Sequence, residues 1–128
     1  MDRARGEGWS RDLGFVPQDV LPLVTAGARW FASPSLYEGF GLPVLEAMAC
    51  CVPVVCSNAS TLPEVAGSAA AFHAPEDDDA LLALLQAGLE DDAWRASAGK
   101  AGLAQAAKFS WERCTRQTLD VYKTVLTA

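Results

Sequence analysis

Histidine is nearly absent from this chain, which has one, His73, in 128 residues. It follows a weak strand, where a core or surface role is expected rather than general-base work. It is also far in sequence from the adjacent Cys50-Cys51 pair, and none of the four cysteines (Cys50, Cys51, Cys56, Cys114) makes a C-x-x-C spacing. Zinc is therefore not expected, and the cysteines read as small buried hydrophobes in a reducing compartment. Basic residues are few, 10 Lys+Arg against 16 Asp+Glu for a net charge of −6, and they are scattered. That excludes sequence-independent nucleic-acid binding and an anionic-membrane patch. Long apolar runs are missing too. Pro53 or charged residues interrupt all of them well short of the roughly 18 to 20 residues a membrane helix needs. The first eight residues, Met1 to Gly8, lead into no apolar core of a signal peptide, so a cytoplasmic location is the expectation. There is no internal repeat and no low-complexity segment.

The length fits one domain at most, and 51% hydrophobic residues suffice for a core. Residues 1 to 12 are charged and glycine-containing, and read as a disordered or loose arm before a single unit over residues 13 to 128. Leu13 to Pro17 reads as a short strand. Asp19 is placed to cap a helix bearing Val20, Leu21, Leu23 and Val24 that ends near Gly27. Ala28 to Ala32 is the next strand. Val52 to Cys56 is a near-continuous apolar run, as in a buried parallel strand. Thr61-Leu62-Pro63-Glu64 has capping-box spacing, which assigns Glu64 to a cap rather than to a ligand. That helix stops at Gly67, and Ala69 to Phe72 is a last, weak strand. The acids Glu76 to Asp79 precede an apolar helix and read as N-terminal helix charge, with no spaced oxygen ligands of the EF-hand kind. Gly88 and Asp91-Asp92 punctuate the tail, a helix runs from about Ala93 toward Lys108, and Ser110 caps a final one. Strands alternating with helices predict an α/β fold. The expectation is a partial Rossmann-like parallel sheet of about four strands with helices on both faces, fewer strands than a complete dinucleotide-type sheet.

One stretch concentrates the chemistry: Ser33 to Glu46, SPSLYEGFGLPVLE. Two carboxylates, Glu38 and Glu46, flank Gly39-Phe40-Gly41, and Leu42-Pro43 opens an apolar run. Proline favours the first helical turn, so a helix begins near Leu42 or Pro43 with Gly41 close to its N-cap. A helix N-terminus offers free N–H groups and partial positive charge to an anion, and glycines let amides approach a ligand closely. Glu46 is expected in about the first helical turn, and carboxylates accept hydrogen bonds from sugar hydroxyls. An anion cradle between two acceptors suits a diphosphate between hydroxyl-rich groups, as in a nucleotide-sugar. On spacing alone, two surface glutamates beside a turn are the simpler account.

The whole string outweighs that account. Ser-x-x-Glu-Gly-Phe-Gly-Leu-Pro-x-x-Glu-Ala-Met-Ala resembles the signature of family 4 glycosyltransferases, retaining enzymes of the GT-B fold (glycosyl transferases group 1). Further blocks follow the family's order: Leu-Gly-Phe-Val-Pro (13 to 17), Pro-Val-Val-Cys-Ser-Asn through Leu-Pro-Glu-Val-Ala-Gly (53 to 67) and Phe-Ser-Trp-Glu-Arg (109 to 113). The resemblance implies part of the C-terminal, donor-binding domain of an enzyme transferring a hexose-type sugar. By that similarity Glu38, the catalytic candidate, holds hydroxyls of the transferred sugar. Glu46 bonds the ribose, and the amides of Gly39, Phe40, Gly41 and Leu42 contact sugar and diphosphate. No cofactor or metal is implied, because protein donors stabilise the leaving diphosphate.

The resemblance also marks what is missing. The family's N-terminal acceptor domain, and the basic pair that grips the diphosphate upstream of the Leu-Gly-Phe-Val block, have no counterpart here. Arg3, Arg5 and Arg11 fit no matching motif. The isolated chain is thus expected to be inactive: a fragment, a truncated remnant, or half of an enzyme completed by another chain. The alternative reading is a non-catalytic nucleotide-sugar-binding or interaction module. Cys51 stands where relatives commonly carry glycine, at a left-handed helix end that a Cβ disfavours.

Overall fold

The computed structural model describes Gly8 and residues 10–127. Most of the expected N-terminal arm lies outside the described residues, and residues 10–13 carry no regular structure. The elements follow in chain order: α1 (Leu21–Ala26), β1 (Phe31–Ser33), α2 (Leu42–Ala49), β2 (Val54–Ser57), α3 (Leu62–Ala66), a 3-10 turn (Gly67–Ala69), β3 (Ala70–His73), α4 (Asp78–Glu90), α5 (Asp92–Ala106) and α6 (Trp111–Leu126). Among the described residues the sheet has three strands in the order β1-β2-β3. Both pairings are parallel, with Phe31 opposite Val54 and Val54 opposite Ala70. Parallel neighbours require a crossover; α2 makes the first and α3 the second.

The fold class is therefore α/β, but the expected fourth strand is absent. Residues 13–17 form irregular chain, with Gly14 at φ +60° and its N–H donated to Asp12 Oδ1 at 2.8 Å. Phe15 is 91% exposed. A strand needs a partner for its N–H and C=O groups, and no described strand lies beside this segment. The first helix also differs. Val20, not Asp19, is its N-cap, with no side-chain bond, and Pro22 occupies its first turn.

Strand alternation divides the sheet's side chains. Val54 and Cys56 join Val44, Ala47 and Met48 of α2 and Leu62 and Ala66 of α3 in the core, with Phe31, Ala70 and Phe72 packed against it. Burying a side chain such as Leu62 or Met48 contributes about 1.5–3 kcal/mol. All four residues of β2 are buried, so both faces of the central strand are covered. On α5, the buried Gly99 and Gly102 let that helix lie directly on α2 and the turn after it. A Cβ at Gly102 would stand 3.2 Å from Met48 Cγ, and one at Gly99 only 2.5 Å from the Cys51 carbonyl oxygen. Trp30, just before β1, stacks against Trp94 of α5 with centroids 4.8 Å apart.

Helix ends follow local chemistry. Asp77 Oδ1 accepts from Ala80 N at 2.8 Å and caps α4, which accounts for the acidic run as helix-terminal charge. Asp91 caps α5 through Trp94 N at 2.7 Å, and Ser110 caps α6 through Arg113 N at 3.1 Å. Gly67 ends α3 at φ +56°. Gly88 lies inside α4 rather than ending it. The cysteines depart from expectation: only Cys56 is buried, Cys50 is intermediate, and Cys51 and Cys114 are exposed. Burial in the core pushes the Cys56 thiol up to about 11.

Candidate functional site: the loop between β1 and α2

The Ser33–Gly41 loop leaves the carboxyl end of β1 and enters α2. Open α/β sheets place their ligand crevices at this end. Gly41 is the N-cap of α2 at φ +97°, ψ +39°, a left-handed conformation that glycine adopts without Cβ strain. A Cβ there would also stand 2.7 Å from Leu62 Cδ2. Backbone and packing both demand glycine at this position. Pro43 occupies the first turn of α2 and removes one donor from it. Val44 N and Leu45 N both close on Gly41 O, at 3.0 and 3.3 Å. Gly39, Phe40 and Gly41 donate no hydrogen bond among the described residues. Leu42, as first helical residue, has no intrahelical acceptor. The loop thus presents a run of unpaired amides ahead of a helix N-terminus.

Glu38 is half-buried on this loop, and its Oε1 accepts from Ser35 Oγ at 2.8 Å. Ser35 is itself fixed, because its carbonyl accepts from the buried Ser57 Oγ at the end of β2, at 2.5 Å. One Glu38 carboxylate oxygen is thereby oriented, and the other has no hydrogen-bond partner among the described residues. Glu46 is the fifth residue of α2, in the second turn rather than the first. It is exposed, and its carboxylate has no partner among the described residues. Phe40 packs edge-on against Phe109, centroids 6.0 Å apart, which ties the loop to the segment leading into α6. The structure places Glu38, Gly39, Phe40, Gly41 and Leu42 consecutively along the loop into α2, with Glu46 in the second turn of that helix.

Ser60 and Thr61 follow β2, Ser60 in the loop beyond the strand's carboxyl end and Thr61 at the N-cap of α3. Ser60 Oγ donates to the Glu38 carbonyl at 2.7 Å. Thr61 Oγ1 reaches the carbonyls of Glu38 at 3.1 Å and Phe40 at 3.0 Å. The capping box is not formed. Thr61 is the N-cap of α3 but gives it no side-chain bond, because its hydroxyl serves the loop instead. Glu64 lies in the first turn of α3 without closing a box. Small hydroxyl residues just past a strand's carboxyl end are the signal that points to such a contact. His73, at the end of β3, is buried. Its Nδ1 lies 2.7 Å from Ala74 O, while its Nε2 has no partner.

Among the described residues no three His, Cys, Asp or Glu side chains gather where they could hold a metal ion. No helix there is long and apolar enough to cross a membrane.

The chain is 55% identical over 123 residues to O-antigen chain mannosyltransferase B of Escherichia coli, covering 96% of this chain and 32% of that protein. It is 39% identical over 109 residues to the MMP alpha-(1->4)-mannosyltransferase of Mycolicibacterium hassiacum, covering 82% of this chain and 26% of that one. Among solved structures, sucrose-phosphate synthase from Thermosynechococcus elongatus superposes with a TM-score of 0.83 at 29% identity, over 98% of this chain and 35% of the synthase. The chain thus spans about a quarter to a third of the length of these relatives. The family described as glycosyl transferases group 1 matches residues 11–105, and with that match over a loop of this construction, the chain belongs to the group 1 glycosyltransferases.

Proposed function

We propose that this chain is the donor-binding portion of a retaining glycosyltransferase, and that its donor is a nucleotide-activated hexose, with mannose the first candidate. The observation that carries the reading is the run of unpaired amides at Gly39, Phe40 and Gly41 between an oriented carboxylate, Glu38, and an unpartnered one, Glu46. The amides and the N-terminus of α2 bind the diphosphate and stabilise the charge it gains as the glycosidic bond breaks. Glu46 accepts hydrogen bonds from the ribose hydroxyls. The free oxygen of Glu38 does the same for the transferred sugar and holds its anomeric carbon in place. Names of two relatives, both mannosyltransferases, support mannose. Turnover calls for an acceptor-binding domain or complementing chain, and no metal takes part.

Thermal stabilisation by nucleotides tests this. A ligand bound to the folded state adds about RT ln(1 + [L]/Kd), or about 2.7 kcal/mol at a hundredfold excess over Kd. One nucleoside diphosphate or nucleotide-sugar from a panel is expected to raise the melting temperature, and Glu46→Ala to abolish the rise. Glu46 is exposed and unpaired, so the same substitution should change the unliganded stability by no more than about 0.5 kcal/mol. A ligand shift that persists in Glu46→Ala would refute the assignment.

A further inference from the structure

We propose that Ser60 and Thr61 are positioning residues that aim the amides of Gly39 and Gly41 at the donor's diphosphate. The inference rests on the donor-loop reading above and adds to it the residues that set the loop's orientation. A trans peptide unit is planar, and its C=O and N–H point in opposite directions. The described chain has no cis peptide bond. The Glu38 carbonyl shares its unit with the Gly39 N–H, and the Phe40 carbonyl shares its unit with the Gly41 N–H. Ser60 holds the first carbonyl at 2.7 Å, and Thr61 holds the second at 3.0 Å while also reaching the first at 3.1 Å. Each grip turns the opposite N–H away from the β2 side of the loop. Two alternate units are clamped from one side, so both glycine amides face the other.

Two local departures converge on this clamp. Ser60 stands at φ +56°, a left-handed conformation that a residue with Cβ rarely adopts. Thr61 leaves α3 without a side-chain cap, although its hydroxyl is at the capping position. Both serve the contact to the loop rather than their own segment.

The test uses the 15N-labelled chain and the variants Thr61→Val, Thr61→Ser and Ser60→Ala. Residual dipolar couplings of the Gly39 and Gly41 N–H vectors are measured without ligand. Thr61→Val is expected to change the Gly41 coupling and, to a smaller extent, the Gly39 coupling, and Ser60→Ala the Gly39 coupling alone, with Thr61→Ser close to the parent. Affinities for GDP and guanosine, with UDP and uridine and ADP and adenosine alongside, are then compared. Thr61→Val is expected to weaken the bound diphosphate about tenfold and its nucleoside less than about twofold, with recovery in Thr61→Ser. Couplings that match the parent in both Thr61→Val and Ser60→Ala would overturn the clamp. So would equal losses for diphosphate and nucleoside, which indicate general loosening. If no nucleotide binds the parent chain, the donor-loop reading fails and the couplings decide the clamp by themselves. Should Thr61→Val not fold, Ser60→Ala carries the same comparison at Gly39.

Discussion

Replacing Cys51 by glycine is expected to stabilise the chain. Cys51 follows the end of α2 at φ +60°, where an L-residue is strained by about 1 kcal/mol or somewhat more. Glycine removes that strain but gives the unfolded chain more freedom, which offsets about 0.5 kcal/mol of the gain. The thiol contributes little, because Cys51 is exposed and its Sγ only brushes the space above Gly99. The net gain is about 0.5 kcal/mol, or about 2 °C in melting temperature for a chain of this size. Scanning calorimetry under reducing conditions reads it directly. Cys51→Ala serves as control, since it removes the sulfur and keeps the Cβ; it should gain nothing. The reasoning fails if Cys51→Gly melts at or below the parent, or if Cys51→Ala gains as much. The opposite change across the same contact, Gly99→Ala, should destabilise by about 2 kcal/mol, because the new Cβ meets a backbone oxygen that has little room to move.

Two further substitutions probe the loop and the core. Gly41→Ala places a Cβ both in a left-handed conformation and against Leu62; urea unfolding should show a loss of about 2 kcal/mol or more, and a neutral result would mean the helix starts differently. The Cys56 thiol, held up to about 11 against an ordinary 9.0, stays protonated when folded while the unfolded chain ionises. Stability should therefore fall as pH rises from about 9 toward 11. The fall should be smaller in Cys56→Ala, and an identical pH profile in that variant would exclude Cys56 as a source.

Legibility from sequence tracked how local the cause was. The start of α2 was readable because Gly41 and Pro43 impose their own backbone geometry. The caps at Asp77, Asp91 and Ser110 were readable or nearly so, because an oxygen three residues ahead of a free N–H needs no distant partner. Thr61 was misread, since its spacing matched a capping box but a tertiary contact to Glu38 and Phe40 claimed the hydroxyl. Residues 13–17 have the composition of a strand and no strand beside them, and no pattern within five residues reveals that. The order of Glu38, the glycines and Glu46 was legible. That Ser35 orients Glu38 emerged only from the folded loop.

Helix α6 has a thermodynamic consequence. None of its 16 residues is buried, and Trp111 and Leu126 are 77% and 85% exposed. It holds together through the Ser110 cap and ion pairs along its own length, such as Arg116 with Glu112 at 2.8 Å. A helix near the roughly 12–15-residue limit of independent stability, with no side chain buried in the core, is not held to the core's melting. Unfolding of this chain is then not a single transition. Helical circular dichroism should begin to fall, and the amides of α6 to exchange, while the tertiary signals of the sheet are still intact, so that a single melting temperature describes the sheet and the helices packed on it and leaves α6 out.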